Sequence, residues 1–187
     1  DNSGTVVKES GVGTTTFIAF FRNNGHVLAK QGSISMSSGG AHSRIFEVFA
    51  PATLSFGSAH DFSASAVVFG AGHFESSGAL NMRGTFATTG SNTVSGNTLR
   101  FLSGARVSFG TNPVSVAGNM ELSAGVTQRM ARLIVSGTVS GSDSIVVTNS
   151  LVMHGGRMSG SAALTIPTNA TLLFATSEPT FNRVVNH

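Results

Sequence analysis

Two stretches of the chain, SGTVSGSDSIVVTN (136–149) and GGRMSGSAALTIPTN (155–169), superpose at an offset of 19 positions. That offset lays Ser140-Gly141-Ser142 on Ser159-Gly160-Ser161, Ile145 on Leu164 and Val147 on Ile166. A chain that repeats a small polar turn and then an alternating apolar triplet, with hardly a charge between them, is built in layers. The triplet itself recurs as Leu54-Ser55-Phe56, Val67-Val68-Phe69, Leu80-Asn81-Met82, Leu99-Arg100-Phe101, Val107-Ser108-Phe109 and Val114-Ser115-Val116. It continues as Met120-Glu121-Leu122, Leu133-Ile134-Val135, Ile145-Val146-Val147, Leu151-Val152-Met153, Leu164-Thr165-Ile166 and Leu172-Leu173-Phe174. Their first residues are 6, 7 or 8 positions apart, or 12, 13 or 19, which are about two or three times the shorter step.

Strand side chains alternate between two faces, so each triplet reads as a very short strand whose first and third residues point to one side. The Ser-Gly, Gly-Gly, Gly-Asn and Ser-Ala pairs between triplets are turn formers. Helical spacing is not sustained over any useful window, and glycine interrupts every candidate. Three short strands with their turns occupy about 19 to 21 residues, one coil of a three-sided parallel β-helix, or β-solenoid. Gly118, Gly137 and Gly156 mark that spacing directly. The expected fold is therefore all-β: one solenoid segment over residues 1–187, taken as right-handed, of about nine coils and about 45 Å at the usual strand separation. A β-sandwich is the rival, but its strands recur roughly every 8 to 12 residues and run longer.

In such a rod each inward side chain stacks on its counterparts one coil above and below, adding roughly 1.5 to 3 kcal/mol when fully buried. No coil buries its inner face alone, so end coils need a cap, a continuation or a partner. Neither end reads as capped, and the closing FNRVVNH (181–187) stops in what looks like mid-coil. With no initiator Met and no signal-peptide core in DNSGTVVKES, the chain is expected to be an excised segment of a longer protein.

Three stretches, ESGVGTTTFIAFFRNNGHV (9–27), GTVSGSDSIVVTNSLVM (137–153) and GRMSGSAALTIPTNATLLF (156–174), resemble the Gly/Ser/Thr-rich β-solenoid repeats of large secreted surface proteins. Bacterial autotransporter passengers, filamentous adhesins and exported proteins of protists and algae carry such repeats. The resemblance implies a parallel β-helix in an extracellular or cell-surface setting and names no ligand. FFRNNGH (20–26) against FNRVVNH (181–187) adds a faint echo, a super-repeat of about 160 residues.

Composition narrows the function classes. Eleven Lys and Arg against eight Asp and Glu give a formal net charge of +3. The basic residues stand singly, from Lys8 through Arg83, Arg100 and Arg157 to Arg183, so no stripe tracks a phosphate backbone and nucleic acid is not an expected partner. Without cysteine there is no disulfide, thiolate metal site or cysteine nucleophile. No apolar run approaches the roughly 20 residues of a membrane helix, so direct membrane insertion is not expected.

Parallel β-helices also carry lyase and glycosidase chemistry, so the titratable residues need weighing. A glycosidase sets two carboxylates roughly 5 to 10 Å apart across its substrate. The candidates are Glu47, Asp61, Glu75, Glu121 and Asp143, each expected as an isolated solvated side chain. The best local cluster, His60-Asp61 with His73 and Glu75 in SAHDFSASAVVFGAGHFES (58–76), could supply a general base or half a metal site. Its spacing matches no zinc motif, and surface-turn histidines are the plainer reading. His26, His42 and His154 stand alone beside Gly or Ser. GVG (11–13) and GAG (70–72) lack a phosphate-binding context and read as turns. Neither Gly39-Gly40 nor Gly155-Gly156 has the aspartate of a calcium repeat. An ice-binding face would need regular threonines, whereas TTT (14–16) looks isolated. The sequon Asn169-Ala170-Thr171 falls between two triplets, where a glycan would fit if a eukaryote secretes the chain.

The expectation is a non-enzymatic structural or adhesive rod, extracellular or on the cell surface, with no cofactor or metal. Its partners would be neighbouring coils, copies of itself, or surface glycans and other cell-surface ligands. The alternative is a carbohydrate-binding or carbohydrate-active β-helix, with His60, Asp61, His73 and Glu75 as its site; a self-assembling fibre is the third reading.

Overall fold

The computed structural model describes residues 1–176, 179–182 and 185–186, the last two through their backbone alone. Arg183 lies outside the described residues, as do Val184 and His187, and with them part of the FNRVVNH stretch whose echo of FFRNNGH and stop in mid-coil the sequence suggested. The fold is a parallel β-solenoid of about nine turns with three parallel sheets. Among the described residues every strand pairing is parallel, each strand taking as neighbours the strands one coil before and after it. Numbered in chain order, coils one to nine span 5–23, 26–42, 45–62, 67–82, 85–101, 106–122, 128–140, 145–158 and 164–181.

The first sheet holds six strands: Thr5–Lys8, His26–Ala29, Ile45–Val48, Val67–Gly70, Thr85–Thr88 and Arg106–Phe109. The second begins with Thr14–Phe17, Ser33–Met36, Thr53–Phe56, His73–Ser76, Asn92–Val94 and Pro113–Val116. The third runs through Phe21–Asn23, Gly40–His42, His60–Phe62, Leu80–Met82 and Thr98–Phe101 to Asn119–Leu122, Thr138–Ser140, Arg157–Met158 and Thr180–Phe181.

Alternation does the packing. In the third sheet Leu80, Leu99, Met120, Val139 and Met158 stand in one inward column, and Phe62, Met82, Phe101 and Leu122 in the next. All nine are buried. In the first sheet Val27, Phe46, Val68 and Phe86 form the equivalent column. Rings interlock between columns, with Phe74 edge-on to Phe86 at 4.9 Å and Phe86 edge-on to Phe101 at 5.2 Å. Each such ring adds roughly 1.5 to 3 kcal/mol by burial.

The superposition of the two Ser-Gly-Ser stretches holds at atomic level. Ile145 registers with Leu164 and Val146 with Thr165, while Gly141 and Gly160 share a positive φ, 114° and 126°. The glycine spacing has its own cause. A Cβ on Gly137 would strike the carbonyl oxygen of Gly118, and one on Gly118 that of Gly96. That corner is closed so tightly by the coil before it that only glycine fits.

Two expectations need correcting. In Val67-Val68-Phe69 the buried residue is Val68, aligned with Phe46 and Phe86, while Val67 and Phe69 face outward. All three are apolar, so alternation alone sets no register. The coils are also less uniform in length than the sequence repeat suggests: the circuit from Gln128 to its partner Ile145 is shorter than expected, and that from Arg157 to Thr180 is longer. In coils seven and eight the first-sheet strand is absorbed into the second sheet. Gln128–Val135 and Ile145–Met153 run as single long strands, with a register shift between Met130 and Arg132.

Candidate functional site

The four residues of the SAHDFSASAVVFGAGHFES cluster do not converge. His60 and Asp61 lie on the third sheet, on opposite faces of one strand; His73 and Glu75 lie on the outer face of the second. Asp61 is exposed and bonds to Arg83 one coil on. His73 Nδ1 lies 2.8 Å from the Ser91 hydroxyl, and Glu75 stands between Ser55 and Thr93. The segment 58–76 turns a solenoid corner twice, so proximity in sequence becomes separation in space. Among the described residues no group of three or more His, Asp or Glu is placed to hold a metal ion.

His60 is not a surface-turn histidine. It is 1% exposed, and its partner is His42, 2% exposed, a residue that stands alone in the sequence. His42 Nε2 sits 2.9 Å from His60 Nδ1, and His60 Nε2 sits 3.1 Å from the Met36 carbonyl oxygen. A carbonyl only accepts, so His60 Nε2 carries a hydrogen and its Nδ1 is the acceptor for His42 Nε2–H. His42 Nδ1 is then a bare acceptor, and it is buried without a partner. Burial holds His42 down to about 3, with a smaller push from the charge that His60 would carry. Burial likewise lowers His60 to about 4, opposed by its bond to the Met36 carbonyl. Both rings are therefore neutral near pH 7. Gly40 makes room for them: a Cβ there would lie 2.7 Å from His42 Cε1. The legible signal was two histidines on neighbouring coils, each in an inward position, beside a glycine.

A second polar pin precedes this pair. Asn2 Nδ2 donates to Asn23 Oδ1 at 2.8 Å, and Asn23 Nδ2 donates to the Ile45 carbonyl at 2.9 Å. A third lies further along. Asp143 is 3% exposed, and its carboxylate accepts from Ala124 N–H at 2.9 Å, Gly125 N–H at 2.8 Å and Gln128 Nε2 at 2.8 Å. The expectation of a solvated side chain fails here: Asp143 clamps the loop after coil six to the start of coil seven. Three donors replace the water that such a carboxylate would otherwise keep.

Glu47 and Glu121 stay near the surface, each beside a nitrogen-bearing side chain of the neighbouring coil. Glu47 Oε2 is 3.2 Å from His26 Nε2, and Glu121 Oε2 accepts from Arg100 Nε at 3.2 Å. Asn169 is exposed in the turn before Thr171–Phe174.

The outer faces differ in chemistry. On the second sheet Thr14, Ser33 and Thr53 form one column, and Thr16, Ser35 and Ser55 the next. TTT is therefore not isolated: its outward hydroxyls begin a ladder that the sequence hid by mixing Ser with Thr. On the first sheet the outer face mixes apolar and polar side chains, with Val7 beside Leu28 and Ile45 beside Val67 but Glu47 next to Leu28 and Arg106 next to Thr85. Comparison with protein-family models, with curated proteins and with solved structures finds no match to this chain, so a functional reading rests on its own residues.

Proposed function

We propose that this chain is a non-enzymatic structural or adhesive module of an extracellular or cell-surface protein, a stiff rod section that extends, displays or joins other parts. The observation that supports this reading is the unbroken inward column of the third sheet, which runs with its ladder through coil after coil. Ladders and stacked side chains of this kind resist bending because every coil contacts both neighbours. The resemblance of its turns to repeats of secreted surface proteins supports the setting. Its partners are further coils and copies of the same rod. In coil one Val6, Phe17 and Phe21 are only partly covered, and an added parallel coil would cover them. Small-angle scattering of the purified chain tests the proposal: an elongated particle with about 4.8 Å of length per coil supports it, and a sphere-like profile overturns it.

A second reading is favoured by one feature, the paired hydroxyl columns of the second sheet: a face that docks a neutral polysaccharide lengthwise. Replacing Thr16, Ser35 and Ser55 together by Val tests it in co-sedimentation with insoluble polysaccharides. Lost binding supports that reading, and binding unchanged by the substitutions removes it.

A further inference from the structure

The polar pair in the core of coils two and three has a chemical property that the rest of the interior lacks. Each ring of the His42–His60 chain carries one hydrogen, and the order of donors is fixed from the Met36 carbonyl backwards. A second proton has two places to go, and both are bad. On His60 Nδ1 it would face the N–H of His42 at 2.9 Å and break the bond between the rings. On His42 Nδ1 it would create a cation in a buried position where no acceptor stands.

The surroundings offer no relief. Asn23 and Phe62 flank His42 in its column, and Gly40 and Leu80 flank His60. Phe46 lies edge-on to His42 at 4.8 Å, Phe62 is tilted against it at 4.7 Å, and Phe56 lies edge-on to His60 at 4.9 Å. Phe21 is further off, at 6.5 Å from His42. From the strands Phe21–Asn23, Ser33–Met36, Ile45–Val48, Thr53–Phe56 and Leu80–Met82, the groups facing the pair are thus Asn23, the Met36 carbonyl and apolar side chains. The nearest ionic groups on these strands and on the pair's own, Arg22, Glu47 and Asp61, alternate to the outer face. A buried imidazolium with no counter-ion and one N–H left without an acceptor is strongly disfavoured, so protonation and the closed core compete.

We propose that the His42–His60 pair makes coils two and three an acid-sensitive segment: mild acid opens this stretch of the rod while the apolar coils beyond it stay closed. This property belongs to the core and not to the outer faces, so it is independent of the structural or adhesive role. The lowered values of both rings agree in direction. The unfolded segment takes up two protons near pH 6.5 that the closed segment refuses, so closure is favoured above that pH and weakens steadily below it.

Hydrogen exchange followed by mass spectrometry on the whole chain tests this. After correction for intrinsic rates, amides of residues 26–62 should exchange at least about a hundredfold faster near pH 4.5 than near pH 7, with residues 85–116 changing far less. The double variant His42→Phe with His60→Leu places in each column the residue type of the next coil, Phe62 and Leu80, and should abolish the difference. Equal acceleration along the whole rod, or an acid response retained in that variant, overturns the proposal. Should the variant fail to fold, NMR titration of the two wild-type rings decides: protonation near pH 6.5 in the closed state overturns the proposal, and rings neutral down to the pH of opening support it.

Discussion

Coils one to three and coils seven to nine solve the same packing problem with different interiors. The early coils keep three separate sheets and thread polar links through the core: Asn2 to Asn23, Asn23 to Ile45, His42 to His60 and His60 to Met36. The late coils lose the separate first sheet, bend its strands into the second, and fill the space with Met130, Leu133, Ile145, Val147, Leu151 and Leu164. The early interior is held by directional bonds, which fail when one partner changes protonation. The late interior is held mainly by shape and area, with the Asp143 carboxylate and its three donors as a polar pin at its entry. One architecture therefore carries two kinds of sensitivity along its length.

Val147→Asp and Leu164→Asp break the late interior most directly. Each places an unpaired charge in a fully buried column and should lower stability by about 4 kcal/mol or more, read by denaturant melts. Wild-type melting in either variant would contradict the register. Asp143→Ala comes next, leaving Ala124 N–H, Gly125 N–H and Gln128 Nε2 without their acceptor. A loss of about 2 to 4 kcal/mol is expected, and it should be concentrated where coil six meets coil seven in a proteolysis map. In the early interior Asn23→Ala removes three side-chain hydrogen bonds, with Asn2, Ile45 and Gly25, and should cost about 1 to 2 kcal/mol at neutral pH by thermal melting. Acid titration sharpens the contrast: from near pH 6.5 downwards the wild type should lose stability continuously as the unfolded histidines take up protons, and His60→Leu should flatten that slope. The smallest effect belongs to the outer ion pairs. Arg100→Ala should change stability by less than about 0.5 kcal/mol, because its link to Glu121 is half open to water.

The late coils were the more legible in sequence. Leu164 and Ile166 announce themselves because Thr165 stands between them, the offset of 19 carries that register to Ile145 and Val147, and the spacing of Gly118, Gly137 and Gly156 marks the coil length. Val67-Val68-Phe69 misleads because its outer face is apolar too, and period-two patterns need contrast to set register. The early coils are harder to read for the opposite reason: Asn23, His42 and His60 occupy inward positions with polar side chains, so a search for apolar triplets passes over them. Of the expected site, Asp61, His73 and Glu75 do lie at the surface as solvated or hydrogen-bonded groups. The pairing of His60 with His42 is hidden because it depends on inter-coil register and on the missing Cβ of Gly40, neither of which is local. Asp143 is misjudged because a lone carboxylate in a chargeless run looks solvated until the N–H groups aimed at it are known.

The unequal coil lengths divide the rod into fixed and editable parts. The circuit from Gln128 to Ile145 is short and that from Arg157 to Thr180 is long; the difference is carried at corners and, between Met130 and Arg132, by a register shift within the ladder. The corners differ in what they allow. A Cβ on Gly104 or Gly125 would meet nothing within 4 Å, whereas one on Gly118 or Gly137 would meet the backbone of the coil before it. A foreign peptide spliced beside Gly104, with that glycine kept for its positive φ, would project into solvent and leave the pitch intact, while the same graft at Gly118 would wedge two coils apart. The molecule thus behaves as a ruler with two types of graduation, one sealed and one open to being rewritten.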